Sequence, residues 1–198
     1  MRLCFASNNA HKLDEIRPLL PAGIELLSLA DIGCQEELPE TQDTLEGNAR
    51  QKARYVWDHY ATPCFADDTG LEVAALNGAP GVYSARYAGP QRDAADNIQK
   101  LLLELQNQTD RAAQFRTVVA LVLSETEEHL FAGSVPGLIT EAPRGSGGFG
   151  YDPVFVPTEG DGRSFAEMPL ADKNELSHRA RAVKKLVAFL NGLTDGNA

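Results

Sequence analysis

The 198 residues are 43% hydrophobic and 23% charged, the balance of an ordinary globular protein with enough apolar surface for one substantial core. Twenty-eight acidic against 18 basic residues leave a net charge of -10, which repels the phosphate backbone of a long nucleic acid; a phosphate bound here needs a compact local cluster and a divalent cation, and a small anion is favoured over a polynucleotide. No apolar run reaches bilayer-spanning length, the N-terminus carries no secretory pattern, and Cys4, Cys34 and Cys64 fit neither a disulfide framework nor a paired zinc spacing, so a cytoplasmic protein without a membrane partner is expected.

In chain order, Leu3-Cys4-Phe5-Ala6 is a short buried-strand candidate. After Ser7-Asn8-Asn9 a helix is predicted with Leu13, Ile16 and Leu19 inward, kept short or kinked by Pro18 and ended by Pro21. Thr44 is a candidate N-cap for a helix whose apolar residues recur at Leu45, Ala49, Ala53, Val56 and Tyr60. Pro63 to Ala66 reads as another strand, stopping at Asp67-Asp68-Thr69-Gly70. An irregular stretch punctuated by Gly78, Pro80, Gly81 and Gly89 is the expected boundary between two lobes.

A helix from about Asp93 to Leu105 comes next, then β-rich stretches at Phe115–Leu123, Leu130–Val135 and Gly137–Thr140. A glycine cluster, RGSGGFGYDP, leads into the strand Val154-Phe155-Val156. One last helix is predicted from about Asn174 to Leu190, stopping at Gly192. Alternation of strands and helices followed by a run of strands predicts an α/β fold with a central mixed β-sheet and flanking helices.

Five segments carry side chains suited to chemistry, and each also has a purely structural account. Ser7, Asn8, Asn9, Ala10, His11 and Lys12 join a strand to a helix start, where unpaired N–H groups and the positive dipole end attract anions; Asn tolerates the left-handed backbone of a phosphate-cradling turn. An Asn-capped helix with a surface lysine accounts for the same residues. Asp67 and Asp68 at an apolar strand's end lie where open α/β sheets place ligands and supply the oxygens magnesium prefers, although a solvated turn before Gly70 would read alike. Lys52 shares an arc with Leu45, Ala49 and Val56, with Asn48 at its edge, so it needs either an anionic partner or a path for its ammonium to water.

Phe149, Gly150, Tyr151 and Asp152 offer flat rings on a backbone a ligand can approach closely, or a glycine-rich hairpin whose aromatics enter the core. Lys173, His178 and Arg179 gather at a helix start and could hold phosphate or read a carbonyl oxygen; a solvated helical face has the same composition.

Together these segments resemble the Ham1/RdgB family of inosine triphosphate pyrophosphatases. SNNAHKLDE is similar to the family's opening element, and LPET, ADDTGLEVAALNGAPGVYSARYAG, GGFGYDPVF and AEM…KNELSHR follow in the family's order. Asn8 stands where many members carry glycine. The resemblance implies one ITPase-like domain over residues 1–198, two lobes around an active-site cleft, and a homodimer. It implies hydrolysis of ITP, dITP or XTP to monophosphate and pyrophosphate, with Mg2+ held by Glu40 and Asp68 and with Asp68 as general base. Residues 7–12 and Lys52 would hold the triphosphate, Thr69 would touch substrate, and Phe149–Asp152, Lys173, His178 and Arg179 would read the purine. A nucleotide sensor without turnover, and a pyrophosphatase for modified pyrimidines or 7-methylated nucleotides, are the competing readings; catalysis would separate the first and a substrate panel the second.

Overall fold

Strand β1 (Arg2–Phe5) opens the computed structural model, which describes residues 1–195. Leu3, Cys4 and Phe5 are fully buried, as an apolar run in the middle of a sheet must be. Helix α1 (Ala10–Ile16) is capped by Asn9, whose side chain accepts from the Lys12 N–H at 3.3 Å. Pro18 confines its continuation to a 3-10 turn over Arg17–Leu19. The short edge strand β2 (Glu25–Leu27) pairs in parallel with β1; three residues are too few to display an alternating pattern in the sequence.

Helix α2 (Leu45–Tyr60) begins at the expected cap, with the Thr44 hydroxyl accepting from the Gly47 N–H at 3.0 Å. One face of it buries Leu45, Asn48, Ala49, Lys52, Ala53 and Val56. Strand β3 (Cys64–Val73) does not stop at Asp67 but runs on through Asp67-Asp68-Thr69-Gly70. Aspartate is a poor strand former, and here cationic partners from elsewhere in the chain override that preference. Gly70 permits the close pass of β4 (Pro80–Gly81), since a Cβ there would stand 2.6 Å from the Gly81 carbonyl oxygen.

Helix α3 (Ala94–Glu104) is capped by Asp93. Strand β5 (Ala112–Val122) follows, and β6 (Glu128–Ile139) is one strand where two were expected. Pro136 has no N–H to give, yet its carbonyl accepts from Thr158 at 2.9 Å, so the strand continues past it. Strand β7 (Phe155–Pro157) pairs with β6. The single terminal helix of the sequence reading is two helices, α4 (Leu170–Leu176) and α5 (His178–Asp195). Ser177 breaks them with an extended backbone, φ -66° and ψ 151°, a conformation serine adopts readily at helix starts.

The sheet order is β2-β1-β3-β5-β6-β7, with β4 beside β3. β1 pairs in parallel with β2 and β3, while β4 and β7 pair antiparallel with their neighbours, which makes the sheet mixed, as expected for this α/β chain. The chain divides into two compact units, the first comprising Met1–Asp68, Thr117–Gly133 and the residues from Arg179, the second Thr69–Arg116 and Ser134–His178. These divisions fall inside β3, β5 and β6 and at the start of α5, not in the glycine-punctuated stretch suggested by sequence, which lies wholly within the second unit. Leu3, Phe5, Phe65, Val119 and Leu121 pack with Ala182, Val183 and Leu186 of α5 in the first core. Leu71, Leu101, Phe115, Val135, Phe155 and Phe165 build the second.

Candidate active site

Because successive side chains of a strand point to opposite faces, the extension of β3 separates the two aspartates. Asp67 shares parity with Phe65 and meets α1 and α5: Lys12 Nζ lies 2.8 Å from its Oδ1, and Arg179 Nε lies 3.1 Å from its Oδ2. Arg179 is 2% exposed and also donates to Glu15, itself buried on α1. Asp68 shares parity with Cys64, whose thiol donates to the Ala53 carbonyl of α2, and it faces that helix. Asn48 Nδ2 donates to Asp68 Oδ2 at 3.0 Å, and Lys52 Nζ lies 3.8 Å from Asp68 Oδ1. The same ammonium is 2.5 Å from Glu40 Oε1, which supplies the anionic partner that a buried Lys52 requires.

The two carboxyls consequently differ in basicity. Burial raises Asp67, but the charges of Lys12, Arg179 and Lys52 outweigh it and hold the carboxyl well below the usual range. Burial dominates at Asp68 and pushes it above its ordinary value despite Lys52 and Lys12. Lys12 is lowered, chiefly by burial with Lys52 and Arg179 nearby, even though Asp67 opposes the shift. Lys52 is raised, since Asp68 and Glu40 overcome its burial.

The opening segment is a capped helix start rather than a left-handed cradle. Asn9 has φ -84°, and among the described residues positive φ outside glycine is confined to Ala61, Asn77 and Arg92. Ser7 Oγ accepts from the Asn9 N–H at 3.2 Å, while Asn8, Ala10 and His11 are exposed. Asn9 fixes the turn by side-chain capping, which leaves no need for a strained backbone.

The second unit holds the other predicted residues. Half-buried Thr69 is its first residue. Asp152, 2% exposed, accepts from Lys173 Nζ at 2.6 Å and from the Phe149 N–H at 2.8 Å, tying the glycine loop to α4. Lys173 Nζ also lies 5.1 Å from the centre of the half-buried Phe149 ring. Gly150, at φ 59°, supplies the turn between Phe149 and Tyr151. Tyr151 is no free stacking platform: it is 4% exposed in the core, and its hydroxyl donates to the Ser84 carbonyl at 2.9 Å. His178 stacks on Phe115 at 4.5 Å, which fixes its ring plane.

Arg179 departs from the sequence grouping. It lies with Asp67 and Glu15 in the first unit, while Lys173, His178 and Phe149–Asp152 lie in the second. The sequence alone assigns no role to Asn48 and leaves open whether Glu15 belongs to the outer shell of the metal. The usable signal was Asn48 four residues before Lys52, one turn away on the same helical face.

Comparison with known proteins agrees with this arrangement of elements. Residues 3–189 match the model of the Ham1 family. The chain is 55% identical over 190 residues to a dITP/XTP pyrophosphatase of Flavobacterium johnsoniae, covering 96% of this chain and 98% of that one. It is also 55% identical over 190 residues to a dITP/XTP pyrophosphatase of Porphyromonas gingivalis, with 96% and 97% covered. The solved structure of the Staphylococcus aureus Ham1 protein superposes with a TM-score of 0.88 at 38% identity over 97% of this chain and 99% of that one. A HAM1 protein from Coxiella burnetii gives 0.89 at 38% identity, with the same coverage. With the family's pattern matched from the first strand to the last helix, this chain belongs to the Ham1 family.

Proposed function

We propose that this chain hydrolyses non-standard purine nucleoside triphosphates, ITP, dITP and XTP, to the monophosphate and pyrophosphate, and so removes deaminated purines from the nucleotide pool. The observation that carries this reading is the division of Asp67 and Asp68 between opposite faces of β3, one held by Lys12 and Arg179 and the other bonded by Asn48 beside Lys52. The activity printed for relatives at 55% identity supports the substrate class.

In this reading Asp68 takes the proton of the attacking water, and its raised basicity suits that task. Lys12, Lys52 and Arg179 hold the triphosphate with residues 7–11 and offset charge that develops on the phosphoryl oxygens. Asp67 and Glu15 keep Arg179 aimed, and Asp67 does the same for Lys12. Glu40 and Asp68 are hard oxygen donors already converging on one positive charge, the Lys52 ammonium, and their chemistry fits Mg2+. When bound, that ion polarises phosphoryl oxygen and acidifies water. Among the described residues no set of three His, Cys, Asp or Glu side chains could hold a metal alone, so water and substrate oxygens would complete the shell.

The face of Phe149 takes the base, Thr69 touches substrate, and donors from Lys173, His178 and the loop read the purine oxygen at position six. An adenine amine would bring donor against donor there, which buried sites penalise strongly. A homodimer and a cytoplasmic setting belong to the same reading; three free buried thiols support the second. The test is product analysis with magnesium and ITP, dITP, XTP, ATP or GTP. IMP with pyrophosphate from ITP, and a preference over ATP of roughly 100-fold or more, is the expected result. IDP with orthophosphate, or equal use of ATP, would overturn it.

A further inference from the structure

Asn48 is 1% exposed on α2, outside every role assigned so far, and both ends of its amide are engaged. Oδ1 accepts from the backbone N–H of Gln42 at 2.9 Å, and Nδ2 donates to Asp68 Oδ2 at 3.0 Å. The backbone donor can pair only with the amide oxygen, so it dictates that the NH2 end faces the carboxylate. Gln42 comes this close because residue 47 is glycine: a Cβ there would stand 2.7 Å from the Gln42 Cβ and 3.0 Å from the Thr44 hydroxyl. One turn along the same face, Lys52 lies near Oδ1 of the same aspartate, 3.8 Å away. The face of α2 therefore distinguishes the two oxygens of Asp68, tying Oδ2 to a neutral donor and leaving Oδ1 beside a cation.

We infer that Asn48 is a positioning residue for the hydrolysis: locked by the Gln42 N–H, it holds Asp68 Oδ2 and turns Oδ1 toward the reacting water. This inference rests on the reading of Asp68 as the base. It concerns orientation, so removing the donor should slow the chemical step while leaving binding of the nucleotide nearly intact.

The test exploits a near-isosteric change. Asn48→Asp keeps an oxygen for the Gln42 N–H and replaces the donor that faces Asp68 with an acceptor, adding one negative charge. The expected result is a kcat lowered by roughly 30-fold or more, with the Kd of a non-hydrolysable α,β-imido dITP analogue, titrated by calorimetry with magnesium and again in EDTA, kept within about twofold. Gly47→Ala, which pushes Gln42 off the amide, should show a weaker form of the same split. Should Asn48→Asp not fold, Asn48→Leu, of like volume and uncharged, takes its place with the same expectation. Unchanged kcat in these variants, or loss of kcat and analogue binding in equal measure, overturns the inference. Asp68→Asn runs alongside: if it still turns over, the base assignment itself falls, whereas a dead Asp68→Asn beside a normal Asn48→Asp removes only the role of Asn48.

Discussion

Asp67 and Asp68 are adjacent and chemically identical, yet one is held as an anion by two cations while the other is pushed toward its neutral form. Arg179 is the counterpart of Asp67 and Glu15, and truncating it would take the guanidinium from the buried Glu15 and leave Asp67 only Lys12 of its two cations. Arg179→Ala should cost roughly 3–5 kcal/mol of unfolding free energy, read as a shift in the urea midpoint, because an unpaired buried charge is far costlier than an exposed one. Its effect on substrate preference should be small, since the guanidinium is taken up by Asp67 and Glu15; comparing ITP with ATP in the variant checks this. The depressed Asp67 carboxyl also predicts a pH dependence of stability. Its folded pKa lies below the unfolded value of about 3.9, so its contribution is complete above about pH 4 and is lost as the pH falls through the folded value. Urea midpoints measured from pH 7 down to pH 3 should fall most steeply at the acid end, and less steeply in Asp67→Asn.

Between residue and molecule, the elements that matter are those that bring charges to fixed points. α2 presents Asn48 and Lys52 on one face, and the break at Ser177 ends α4 after Lys173 and starts α5 at His178. The glycine loop is set in the same way by Asp152, which accepts from both Phe149 and Lys173. Gly148 has φ 69°, and a Cβ on it would crowd the Asp152 carboxylate. Gly148→Ala should therefore displace the Asp152–Lys173 pair and raise KM for dITP about tenfold, an effect of about 1.4 kcal/mol, with a smaller change in kcat. Steady-state kinetics on the variant measures it.

For the whole molecule, the net charge of -10 and the acidic balance match a small anionic substrate held at a local cluster of cations. The proposed homodimer should sediment at twice the 21.4 kDa chain mass, and a species at the single-chain mass at micromolar concentration would remove it. Apolar periodicity and capping residues made α1, α2, α3, β1 and most of β5 legible in the sequence, because those signals are local. Lys52 and the Asp67–Asp68 pair could be picked out for the same reason: an ammonium on an apolar helical face, or carboxylates beside a buried strand, declare a need for partners before the partners are known, whereas the roles of Lys12 and of Asp68 as distinct from Asp67 came only with the family resemblance. What needed the tertiary structure was every feature set by residues distant in sequence. β3 runs through its aspartates because Lys12, Asn48, Lys52 and Arg179 neutralise or bond them; Arg179 belongs with Asp67, 112 residues away; and Tyr151 is core because Ser84 takes its hydroxyl. Local pattern fixes which side chains must find a counterpart, but which counterpart, and on which face, depends on non-local contacts that only the packed chain brings together.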